Sequence, residues 1–171
     1  RSWPFAATSP FTKRPEKMSK DKSAAREYAF QFLYQFLSSG KWPADGAARL
    51  DSALADFERS RSEGDGGNMP HLEGGKRKFA EELIRGVLLN RSALEGALRP
   101  HMQLGTEKTH KVDMGVLLIS LWEMQSAPGT PRAVIINEAV DLAKRYGEVR
   151  SGAFVNAVLD AWAKANKVAK A

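Results

Sequence analysis

Apolar residues recur along this chain at the spacing of a helix, not that of a strand. From Lys76 to about Arg99, a stripe of Phe79, Leu83, Val87, Asn90, Leu94 and Leu98 repeats about every 3.6 residues. That spacing predicts one long amphipathic helix, dented at Asn90-Arg91-Ser92 and stopped by Pro100. After Gly105 a further helix is expected from about Thr109 to Ser126. Its centre, Val116 to Trp122, is apolar almost all round and belongs in the middle of a core. Thr130-Pro131 reads as an N-cap followed by a proline in the first turn. The helix it opens presents Ile135, Ala139, Leu142, Ala143 and Tyr146, and Gly147 suits its C-terminal end. Ser151 reads as the cap of a last helix that turns Val155, Val158, Leu159 and Trp162 inward.

The first half is less regular. Aromatic residues at 28, 30, 32, 34 and 36 have the two-residue period of a strand. Ala25, Ala29, Phe32, Leu33 and Phe36 fit one helix face equally well. Length decides for a helix over 23–38, because about fifteen residues without a breaker exceed a typical strand. Ser23 is its expected cap. A second helix is expected over 46–61, capped by Asp45, with Ala47, Leu50, Leu54 and Phe57 inward. Residues 62–75 are rich in glycine and read as a linker. No strand is expected, so the fold class is all-α, with six or seven helices and no internal repeat.

Composition agrees with one globular domain: 171 residues, 43% hydrophobic and 27% charged. The sequence contains no run long and apolar enough for a membrane-spanning helix. There is no cysteine, which excludes disulfides, thiolate metal sites and cysteine nucleophiles and is compatible with a reducing cytosol. The three histidines, His71, His101 and His110, have no partner at metal-ligand spacing, so no metal and no cofactor is expected.

Net charge is +6, and its distribution matters more than its size. Residues 1–26 hold seven basic residues against two acidic ones. After Trp162 come Lys164, Lys167 and Lys170 with no acid, while the stretch between is slightly acidic. A nearly neutral body with basic ends suits either a polyanion contact or solvated termini. The expected division is a flexible basic extension over 1–21, a helical domain over 22–165 and a basic tail over 166–171. Pro4, Pro10 and Pro15 argue against a continuous helix at the start, the apolar stretch there is too short for a signal peptide, and Met18 reads as a natural start.

Candidate chemistry is sparse. The glycines of 62–75 are not followed by Gly-Lys-Ser/Thr, and neither Gly-x-Ser-x-Gly nor Gly-x-Gly-x-x-Gly occurs. Glu81 and Glu82 are adjacent and point about 100° apart on a helix, so they cannot share a site. Asn137-Glu138 suits hydrogen bonds between helices better than catalysis. No enzyme is expected. What stands out is cations beside rings: Lys20, Lys22 and Arg26 lead into Tyr28, Phe30 and Tyr34. Single-stranded nucleic acid is held by cations along its backbone and by rings stacked on its bases. The same aromatics fit a core as well.

Several segments together resemble the NusB family of bacterial transcription antitermination factors. The most specific are Val134-Ile135-Ile136-Asn137-Glu138-Ala139-Val140-Asp141-Leu142-Ala143-Lys144-Arg145-Tyr146-Gly147 and, at the right distance, Phe154-Val155-Asn156-Ala157-Val158-Leu159-Asp160. Ala25-Arg26-Glu27 with Gln31-Phe32-Leu33-Tyr34 also fits, as does Val116 to Met124. The resemblance covers about 22–163. It implies about seven helices in two packed subdomains, no catalysis and a cytoplasmic location. The implied activity is binding of boxA-type RNA together with the ribosomal protein NusE, alongside other Nus factors and RNA polymerase, in ribosomal RNA operons.

Carried over by position, the RNA-binding set is Lys20, Lys22, Arg26, Tyr34, Arg150 and Phe154. Relatives often carry an acid where Arg150 stands, so a cation there should strengthen phosphate contact. Glu107 and Asp113 match acidic positions facing NusE, although Asp113 also suits a helix start. Ala157 replaces the family's glycine at little cost in a helix. Two alternatives go with the resemblance. One is the NusB-like domain of an rRNA cytosine methyltransferase, whose catalytic domain would carry the missing cysteine. The other is a homo-oligomeric scaffold, a homodimer being its simplest form.

Overall fold

A computed structural model describes residues 15–63 and 71–167, with side chains from Lys22 onward. Among the described residues there are six α-helices and no strand: α1 (Pro15–Ser39), α2 (Leu50–Glu63), α3 (Gly74–Leu98), α4 (Lys111–Ser126), α5 (Arg132–Tyr146) and α6 (Ser151–Ala165). A 3₁₀ turn, Arg99–His101, follows α3 at Pro100. The expected six or seven helices thus resolve as six plus this turn. Residues 1–14 of the expected extension, 64–70 of the expected linker and 168–171 of the tail lie outside the described residues.

α4 occupies the centre, as its lack of a polar face requires. Val116, Leu117, Leu118, Ile119 and Leu121 are all buried, and α4 packs against α1, α3, α5 and α6. Each such side chain contributes roughly 1.5–3 kcal/mol by leaving water. Close approach to α4 depends on glycine. A Cβ on Gly86 of α3 would fall 1.9 Å from Trp122 Nε1, so the bare backbone lets the indole lie flat against α3. Asn90 has φ −124° and ψ 16°, the dent expected from the sequence, and its side-chain amide donates to the Gly86 carbonyl at 2.8 Å.

Several boundaries differ from the sequence reading. α1 begins at Pro15, not at 23, and so crosses the expected edge between extension and domain. The physical reason is that proline fits the first turn of a helix, where its missing N–H would be unpaired anyway. Ser23 is therefore inside α1, and its hydroxyl donates to the Glu138 carboxylate instead of capping. α2 starts at Leu50 because Gly46, at φ +63°, places a left-handed residue in the turn before it. Asp45 there pairs with Arg49 at 3.5 Å. α4 starts at Lys111, two residues later than expected. At α5, Pro131 takes the cap position and Thr130 makes no cap bond. Ser151 is the first residue of α6, and its Oγ accepts from the Glu148 N–H at 2.9 Å. Gly147 is not left-handed but has φ −97°. A Cβ there would meet Ser151 Oγ at 2.5 Å, so room, not conformation, calls for glycine.

The rings of α1 divide by depth. Tyr28, Phe30 and Phe32 are buried, whereas Tyr34 keeps 37% of its surface. Tyr28 donates to Glu58 at 2.9 Å, and Arg77 bridges Glu58 to Glu81. Burial first, and then the hydrogen bond to Glu58, hold the Tyr28 phenol well above its ordinary value. Below about pH 10 the folded and unfolded chains hold the same phenol proton, so Tyr28 adds no pH dependence there. Above it the unfolded phenol ionises first, and stability should fall as pH rises. Denaturant titrations at pH 9 to 11 should show a shallower fall for Tyr28→Phe than for the parent chain.

Candidate nucleic-acid interface

Two adjoining pockets open where the C-terminal end of α1 meets the α4 and α6 starts. The first, about 490 Å³, is lined by Tyr34, Glu107, His110, Tyr146 and Gly147, among others. The second, about 670 Å³, is lined by Leu104, Asp113, Arg150, Phe154 and Val158 and shares His110 and Ser151 with the first. Tyr34 stands against Phe30 at 5.8 Å between ring centroids, with part of its surface free. Phe154 is half-buried and Arg150 is exposed, one turn apart at the α6 start. The room Gly147 leaves for Ser151 holds the α5–α6 corner closed, and this sets where Arg150 and Phe154 project.

Of the sequence-predicted residues, five therefore gather at one end of the bundle: Tyr34, Arg150, Phe154, Glu107 and Asp113. Glu107 is exposed, 4.0 Å from Arg99. Asp113 is 4% exposed in the first turn of α4, and its Oδ1 has no hydrogen-bond partner. A carboxylate oxygen buried without a donor is costly to hold there.

Lys22 lies elsewhere, twelve residues before Tyr34 on α1 and over the Phe79 ring at 5.2 Å. It borders an apolar groove with Phe79, Leu89 and Trp122. Position 20 is within α1, but its side chain is outside the described residues. Arg26 is a correction. It is 3% exposed, its guanidinium makes a bidentate pair with Glu123 at 2.6 and 2.8 Å, and Glu138 stands 3.4 Å away. The charge that looked like part of a basic surface is committed inside the fold, where it joins α1 to α4 and α5. Glu138 thus ties helices together, as its sequence context suggested. Sequence reasoning missed Glu123, whose signal was an acid directly after the apolar run Val116 to Trp122.

It also missed the α5 C-terminus. Tyr146 donates to Glu27 and accepts from Gln31 Nε2 at 2.7 Å, while Arg145 donates to Glu27 at 2.8 Å. Burial and then the Glu27 hydrogen bond raise the Tyr146 phenol above its ordinary value. The signal available was the consecutive Lys144-Arg145-Tyr146 before Gly147. Among the described residues no group of acids and histidines could hold a metal ion, and no helix is long and apolar enough to cross a membrane.

Comparison with known proteins decides the assignment. The NusB family profile matches residues 23–164. The chain belongs to the NusB family. A transcription antitermination protein NusB from Sorangium cellulosum is 39% identical over 140 residues, 81% of this chain and 89% of the relative. A NusB structure from T. maritima, 25% identical, has a TM-score of 0.68 and covers 84% of this chain and 90% of that one. A crystal structure of antitermination factors NusB and NusE in complex with double-stranded RNA matches at TM-score 0.68 over 85% of this chain and 98% of that chain. At 19% identity this last likeness speaks to the fold alone. NusB proteins are antitermination factors, not enzymes, which agrees with the lack of any catalytic motif in the sequence.

Proposed function

We propose that this protein is a cytoplasmic transcription antitermination factor that binds boxA-type single-stranded RNA together with NusE. In that role it promotes processive transcription of ribosomal RNA operons, with other Nus factors and RNA polymerase as further partners. The observation that carries this reading is the gathering of Tyr34, Arg150 and Phe154 around two adjoining pockets, one of which Asp113 also lines. Rings beside an exposed guanidinium suit bases and phosphates. Asp113 and Glu107 suit a basic protein partner, so the same end of the bundle would serve both. Lys20 and Lys22 extend the RNA contact along α1. Arg26 is left out of the contact set and acts through the fold. The two packed subdomains of this reading are α1–α3 and α4–α6, meeting along α4. The expected domain limits, 22–165 with basic segments on either side, belong to the same proposal.

An RNA mobility shift with boxA-type RNA, with and without NusE, tests the reading. Binding should tighten with NusE, weaken steeply with salt and resist competition by an unrelated duplex. Tyr34→Ala and Phe154→Ala should each weaken RNA binding by about 1–3 kcal/mol, the usual value of a base stacked on a ring. Unchanged affinity in both would remove the rings from the interface.

A further inference from the structure

The candidate RNA residues fall into two groups with a gap between them. Lys22 is near the start of α1, whereas Tyr34, Arg150 and Phe154 are at the far end. At 1.5 Å per residue, twelve residues of α1 span roughly 18 Å. Glu27, five residues after Lys22 and seven before Tyr34, shares the Tyr34 face of α1 and is turned roughly 140° from Lys22. An unpaired acid there would repel a phosphate chain passing between Tyr34 and α5. The structure answers it from another helix. Arg145 of α5 donates to Glu27 at 2.8 Å while 56% of its side chain stays exposed. A guanidinium has five N–H donors, so this pairing leaves donors for another anion.

Its neighbour Lys144 is also aimed. A Cβ on Gly152 would lie 3.0 Å from Lys144 Cγ and 3.2 Å from its Cε. The bare glycine thus gives the lysine stem a track across the first turn of α6. That turn of α6 is the one Arg150 precedes. We propose, resting on the RNA-binding reading above, that Arg145 and Lys144, about 100° apart on α5, contact successive phosphates of the bound RNA, Arg145 on the α1 side and Lys144 on the α6 side. Glu27 is the positioning residue that aims Arg145, and Gly152 is the one that aims Lys144. The RNA backbone then winds round α1 from Lys22 to the Glu27 face, crosses the C-terminal end of α5 and reaches Arg150 and Phe154.

The test uses the full chain and a labelled single-stranded boxA-type RNA over a salt series. Each phosphate neutralised on a single strand adds about 0.7 to the slope of log affinity against log salt. Lys144→Gln with Arg145→Gln should therefore lower the slope by about 1.4 and weaken binding at low salt. Lys144→Arg with Arg145→Lys keeps both charges and should keep the parent slope. Glu27→Gln separates positioning from bulk charge, since it removes an anion and yet should weaken binding by releasing Arg145. Tighter binding by Glu27→Gln would overturn its role. A parent slope in the double glutamine variant, with an unchanged melting temperature, would overturn the phosphate contact. If the parent chain shows no salt-dependent RNA binding, it is the functional reading that fails instead.

Discussion

Glu123→Ala should destabilise the fold by about 3–5 kcal/mol, because it leaves the Arg26 guanidinium buried without its counter-charge. Glu123 is fully buried and Arg26 is 3% exposed, so water cannot take over the lost contacts. Glu138 offers little relief. It stands 3.4 Å from one guanidinium nitrogen and already accepts from Ser23. Removing both ends of the pair should cost less than removing the acid alone. Glu123→Leu with Arg26→Met replaces two charges by apolar side chains of similar size, a change that is often neutral or stabilising. Urea unfolding of the single and double variants measures the difference. A loss below about 1 kcal/mol for Glu123→Ala would mean that the pair is not closed to solvent.

Gly86→Val should cost about 3 kcal/mol or more through overpacking. The first carbon added at 86 would fall 1.9 Å from Trp122 Nε1, well inside contact distance. Three indole atoms lie within 2.5 Å of where that carbon would be, so the half-buried ring must shift bodily along the α3–α4 seam to admit it. Trp122→Leu should cost stability on its own, yet the combination with Gly86→Val should cost less than the sum. That sign of coupling is specific to two groups competing for one volume. Thermal unfolding of the four chains provides it, and strict additivity would show that the indole moves aside freely.

Much of this fold was legible because its helices carry their pattern locally. The stripe from Phe79 to Leu98, with its dent at Asn90, depends only on neighbours within the same helix. The apolar belt of α4 likewise identifies its own place at the centre. The start of α1 was misread because proline has two meanings, a breaker within a helix and a good first residue of one. The interface was legible in part. Tyr34, Arg150 and Phe154, named from the family resemblance, line two adjoining pockets at one end of the bundle. Arg26 was misplaced because its partner Glu123 lies 97 residues away, and one charge in a basic stretch gives no sign that it will be buried. Arg145 escaped notice for the converse reason, since its place in the gap depends on Glu27 of another helix.

The tight α5–α6 corner has a consequence for the entropy of recognition. With Gly147 pressed against Ser151 and the Glu148 N–H tied to the Ser151 hydroxyl, the corner has few torsions left to freeze. Arg150 and Phe154 therefore meet a ligand from a backbone already in place. For a ligand bound at this end, the ordering cost of association would fall mainly on the ligand itself and on the outer bonds of one arginine side chain.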